Sequence, residues 1–147
     1  MNCTLTILAF LIGVLLPVQV GINLELARHI HSSVLAALFS FLVGSICLVF
    51  SVGLLKAPLP PWGNLIALPS WLWTGGLIGA LVVLGSILAG PKIGSLALVG
   101  LLLAGQLIAS SVIDHYGWLG FSIHKMNLKR LLGVILLVGG VLLIRKN

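Results

Sequence analysis

The chain has 147 residues, 60% of them apolar, and only ten carry a formal charge: eight Lys or Arg against two Asp or Glu. Soluble domains are about 25% charged, and a chain this short has too little interior to hide so much apolar surface from water, so a soluble domain is excluded. The net charge of +6 does not point to nucleic acid, because the basic residues stand singly or in pairs between apolar runs, where they flank membrane spans.

In lipid the backbone must satisfy its own hydrogen bonds, which leaves helices or a closed barrel. The apolar runs are continuous and do not alternate, which excludes the barrel pattern. The expected fold class is therefore an all-α integral membrane protein, one transmembrane domain covering residues 1–147.

A span needs about 20 apolar residues. The first runs over about 4–27 and contains Pro17. It has no basic n-region, and its apolar run is long for a signal core, so it is read as a retained first helix. The second covers 33–55 without a charge, and Cys47 within it is expected to be a small core residue. Residues 56–70 hold Pro58, Pro60, Pro61 and Pro69, a density that predicts an interfacial loop without helix. The third span covers 71–89, and Gly90-Pro91-Lys92 is expected to break it from the fourth, 93–113, as a tight antiparallel hairpin. A polar stretch follows from Asp114 to Asn127, and the fifth span covers 128–144. Its uninterrupted core is short, so Lys129, Arg130 and Arg145 are expected to snorkel.

Five spans put the termini on opposite sides. One side then holds Lys56, Lys125, Lys129 and Arg130, the other Arg28, Lys92, Arg145 and Lys146, four against four. Such a balance gives the positive-inside rule nothing to read. Either other signals settle the orientation, or copies insert both ways and pair antiparallel. Trp62, Trp71, Trp73, Tyr116 and Trp118 all fall on the first side. An antiparallel partner would supply the missing aromatic belt, which favours an antiparallel, dual-topology dimer.

Small residues let membrane helices approach. Ala36, Ser40 and Gly44 form one stripe, Gly75 and Gly79 another, and Gly100 with Ala104, Gly105 with Ala109, and Gly133 with Gly140 repeat the theme. Polar side chains within spans are more informative, because an unpaired amide in hydrocarbon is costly. Gln19 and Asn23 are four residues apart on the first span and share a face. Pro17 is expected to kink that helix and free a carbonyl beside Gln19. Gln106 lies in the fourth span with Ser110 one turn on. These four are candidate substrate-binding residues sharing a cavity near mid-bilayer; interhelical hydrogen bonding is the other reading.

Glu25 is a candidate for coupling, although an ion pair with Arg28, or proximity to His29, explains it more cheaply. Asp114 and His115 form either a helix-end polar cluster, the favoured reading, or a gate. His29, His31 and His124 lack metal-ligand spacing, and no nucleophile–base set, phosphate loop or CxxC is present. No enzyme activity, metal or cofactor is expected.

The order Pro17-x-Gln19-x3-Asn23-x2-Leu26-x-Arg28, Ser40-Phe41-x2-Gly44, Trp73-x-Gly75-Gly76-x2-Gly79, Ala104-Gly105-Gln106, Ile113-Asp114-His115-x-Gly117 and Arg130-x2-Gly133 resembles the YdcZ family. These are five-helix, half-size members of the drug/metabolite transporter superfamily, and the likeness spans nearly the whole chain. It implies a bacterial inner-membrane protein that dimerises, imitating the inverted repeats of ten-helix relatives. The smaller four-helix relatives place a drug- and proton-binding glutamate within their first helix. This chain has Gln19 and Asn23 at that depth and Glu25 nearer the end.

The expected function is secondary transport of a small polar metabolite or organic solute by alternating access in an antiparallel dimer, with an identical or a diverged sister chain as partner. The alternative is a non-transporting assembly or regulatory subunit. A channel is disfavoured, because the spans are too apolar to give a continuous polar lining.

Overall fold

The computed structural model describes residues 3–146, with side chains through residue 144. The side chains of Arg145 and Lys146, counted in the charge balance above, lie outside the described set. Helix accounts for 85% of the chain, and the described residues contain no strand.

The helices are α1 (Cys3–His29), α2 (Ser33–Leu54), α3 (Trp62–Ile66), α4 (Thr74–Ile93), α5 (Ser95–Tyr116) and α6 (Leu128–Lys146), with 3-10 turns at Ser70–Trp73 and Trp118–Gly120. Among the described residues, four helical segments are long and apolar enough to cross a bilayer: Cys3–His29, Ser33–Leu54, Ser70–Ile93 and Ser95–Tyr116. α6 differs. Its apolar core, 131–144, is fourteen residues between basic pairs at 129–130 and 145–146. That core is about 21 Å long at about 1.5 Å per residue, against about 30 Å of hydrocarbon.

The prolines act less as breakers than the sequence suggests. α1 runs unbroken through Pro17. The carbonyl that loses its donor is that of Gly13, four residues earlier, not one beside Gln19. Pro61 and Pro69 stand at the N-caps of α3 and of the 3-10 turn at Ser70–Trp73. A missing N–H at that end sacrifices no helical bond, so the proline-rich stretch starts short helices where a bare loop was expected. α4 likewise continues through Gly90 and Pro91 to Ile93. Pro91 removes one backbone bond, which membrane helices tolerate. The break comes at Gly94, whose φ of +81° is a conformation that glycine adopts without a Cβ penalty.

The chain divides into two compact units, the first ending at Lys92 and the second beginning at Ile93. In the first, a short connection returns α2 against α1. His31 turns the chain at φ +53°, the Ser32 N–H donates to the Ala27 carbonyl at 3.2 Å, and the Ser32 hydroxyl caps α2 by accepting from Leu35 N–H at 3.2 Å. Next to this turn lies the core: Ala27, Ala36, Ala37 and Ile87, with Ala36 fully buried. Alanines there bring the helices close. Farther along, Phe41 lays its ring over Gly79, 3.5 Å from where a Cβ would stand. Cys47, expected in the core, is exposed on α2.

In the second unit α5 packs on α6. The crossing is set at Gly100, where a Cβ would meet the Val141 methyls at 3.2 and 3.3 Å. Gly117 ends α5 in the left-handed conformation at φ +68°.

Candidate functional site

Where α1 and α2 diverge from their alanine-packed end, a cavity of about 410 Å³ opens between them. α1 contributes Leu15, Val18, Gln19, Ile22, Asn23 and Leu26; α2 contributes Phe39, Ser40 and Val43. The helical repeat brings Gln19 and Asn23 to the same wall, as the sequence expects.

Asn23 is the informative residue. It is 5% exposed, and its side chain has no hydrogen-bond partner among the described residues. Its carboxamide atoms are nevertheless not sealed off, and the residue lines the cavity. The hydrogen-bonding capacity of this amide is therefore directed into the cavity. Gln19 stands one turn away at the exposed rim. Ser40 faces them from α2, although the sequence places it in a packing stripe. It is one of four serines in the span 33–55, and spacing within one helix cannot report which of them a neighbouring helix brings opposite.

Gln106 and Ser110 belong to the second unit, exposed on α5, and are not among the residues lining this cavity. The neighbouring Ser111 hydroxyl donates back to the Leu107 carbonyl at 2.7 Å, an intrahelical bond that removes it from ligand duty.

Glu25 lies two residues beyond Asn23 but does not line the cavity. It pairs with Arg28 at 3.3 Å, its carboxylate is 3.6 Å from His29, and its side chain is 58% exposed. His29 Nδ1 also donates to the Glu25 carbonyl at 2.9 Å.

Asp114 and His115 close the far end of the second unit. Arg130 reaches from α6 to the Asp114 carboxylate at 3.5 Å and to the His124 carbonyl at 3.0 Å. The Asp114 carbonyl accepts from His124 N–H at 2.8 Å, and His115 Nδ1 accepts from Met126 N–H at 3.2 Å. Asn127 caps α6, its Oδ1 accepting from Arg130 N–H at 2.9 Å. This is the polar cluster favoured from the sequence. The partners missed there were His124, Met126, Asn127 and Arg130, of which only Asn127, immediately before the helix start at Leu128, carried a capping signal.

Of the residues assigned to packing, Ala36 is buried and Gly79 meets Phe41. A Cβ at Gly44, Gly75, Gly105, Gly133 or Gly140 meets no atom within 4 Å. Gly100, which pairs with Ala104 in the sequence stripe, is the stripe glycine that packs tightly in the second unit, against Val141. Among the described residues no group of His, Cys, Asp and Glu could hold a metal.

A family model described as "Putative inner membrane exporter, YdcZ" matches residues 4–143. No curated protein and no solved structure matches the chain.

Proposed function

This chain belongs to the YdcZ family, a group of multi-pass inner-membrane proteins described as exporters, and on that premise we propose that it is a secondary transporter for a small polar metabolite or organic solute. The observation that carries the proposal is Asn23: a residue 5% exposed whose amide, without a hydrogen-bond partner among the described residues, opens on a cavity that Gln19 and Ser40 also line. An amide held that way wastes hydrogen-bonding capacity until a solute supplies the missing group.

In this reading the two compact units form one transmembrane domain of the drug/metabolite transporter type, and α6 is a fifth span whose basic ends snorkel. Two copies pair antiparallel, and Gln106 and Ser110 complete the solute path as the inverted protomers rock around mid-bilayer. The glycines with open space, Gly44, Gly105, Gly133 and Gly140, suit such pairing, because small residues let helices of a second copy approach. Glu25, held by Arg28 and His29, serves the membrane surface more than coupling.

The test is reconstitution into liposomes with a panel of neutral and charged solutes. Saturable flux is expected, and Asn23→Ala should reduce it at least about tenfold, the loss expected when one hydrogen bond to the solute and its buried partner go together. Assembly measured by cross-linking should stay intact. Absence of saturable flux for the whole panel would instead establish a non-transporting assembly or regulatory subunit. Loss of assembly in proportion to flux would make the amides structural.

A further inference from the structure

The polar groups of the α1–α2 cavity are Gln19, Asn23 and Ser40. Each is neutral, and each both donates and accepts hydrogen bonds. Everything else on the lining is hydrocarbon. Among the described residues that line it there is no Lys, Arg, Asp or Glu. The nearest carboxylate in sequence, Glu25, is exposed and occupied by Arg28 and His29. A cation entering this space would give up water without gaining a counter-charge, and so would an anion. A zwitterion fails twice for the same reason. A wholly apolar molecule fits the walls but leaves Asn23 unsatisfied. The volume of about 410 Å³ lies within the range of pockets that hold small organic ligands.

We propose, building on the reading of this cavity as a solute site, that its ligand is an uncharged amphipathic molecule. It carries a hydroxyl or carboxamide head on a short hydrocarbon body. The head bonds Asn23 and Ser40; the body lies along Ile22, Leu26, Phe39 and Val43. Selectivity then comes from exclusion: any charged relative of the same size must shed its hydration against carbon.

The experiment uses the full chain in phosphatidylcholine nanodiscs. Radiolabelled octanamide, octanol, octylammonium and octanoate are titrated at neutral pH, and binding to empty nanodiscs is subtracted. Saturable excess binding is expected for the amide and the alcohol, at least about tenfold tighter than for the two ions, given the desolvation penalty on charge. Asn23→Leu should weaken octanamide about tenfold, the effect of losing a buried hydrogen-bonding partner. Asn23→Asp, nearly unchanged in size, should reverse the preference and admit octylammonium. An ion bound as tightly as the amide would overturn the proposal. So would the absence of saturable excess for all four probes, or octanamide binding indifferent to Asn23. Saturable amide binding without flux in liposomes would sink the transporter reading alone and leave the neutral-ligand site standing.

Discussion

Gly117 shows how much one residue decides here. It sits at φ +68° as the C-terminal cap of α5, and a Cβ added to it would lie 2.6 Å from Ile123 Cγ1. Left-handed backbone costs an L-residue roughly 1–2 kcal/mol, and the contact adds to that because Cγ1 is not the free end of its side chain. Gly117→Ala should therefore destabilise the protein by about 2–3 kcal/mol in all, as overpacking and left-handed strain combine. Thermal unfolding in a mild detergent would read the loss. Ile123→Ala in the same chain should recover the steric part and leave the backbone part. If the double variant recovers nothing, the close contact is not what makes glycine necessary. Leu119, two residues on, also takes a left-handed conformation at φ +57°. It does so exposed on the surface.

At the scale of the element, the ends of α5 and α6 are tied by one arginine. Arg130 serves the Asp114 carboxylate and the His124 carbonyl together, so its loss frees two acceptors, whereas removing the Asp114 side chain frees only one partner. The ion pair is about half open to water at 3.5 Å, with side chains 42% and 34% exposed. Pairs in such settings contribute about 0.2–1 kcal/mol. Arg130→Ala should thus lower stability by about 1 kcal/mol or slightly more, and Asp114→Ala by about half that. Equal losses on thermal unfolding would mean that the His124 carbonyl bond contributes nothing. The same arginine explains how α6 can begin with Leu-Lys-Arg and still dock. Its charge is directed to the end of α5, and the apolar stretch beyond it, with Val141 on Gly100, does the packing.

At the scale of the molecule, most large apolar side chains of α1, α2 and α4, and about half of those of α5, are exposed. Of the twenty-seven residues in α1 only Asn23 and Ala27 are buried. In water such surfaces would associate without specificity; in a bilayer they match the surrounding hydrocarbon. Trp62, Trp71, Trp73, Tyr116 and Trp118 are likewise exposed, the state in which aromatic side chains anchor a helix at the headgroup level. Orientation then depends on few charges. If the balance of basic residues leaves the chain free to insert both ways, a cysteine tag at the C-terminus should be labelled by an impermeant reagent from both membrane faces. Adding about three Lys to the loop between α2 and α4 should shift labelling to one face, as the positive-inside rule requires. Labelling of the unmodified chain from a single face would end the dual-topology proposal.

Class and partition were determined by the sequence alone. Continuous apolar runs with few charges have one stable solvent and one backbone solution, since lipid leaves no other donor or acceptor for peptide groups. Gln19 and Asn23 were legible for a related reason. An amide inside such a run must face something polar, and an i, i+4 spacing puts two of them on one wall whatever the neighbours are. Helix ends were less legible, because whether Pro91 or Gly94 breaks the chain depends on which backbone position must turn left-handed, and both residues look like breakers when written in a line. Only the tertiary structure decided what stands opposite. It brought Ser40 across to the amides, left the Asn23 amide open to the cavity without a partner among the described residues, and gave Arg130 to Asp114. It also put Gly100, and not its neighbour Gly105, under Val141. The periodicity of one helix fixes which of its residues share a face, but the residue that meets that face comes from another helix whose register is set by packing.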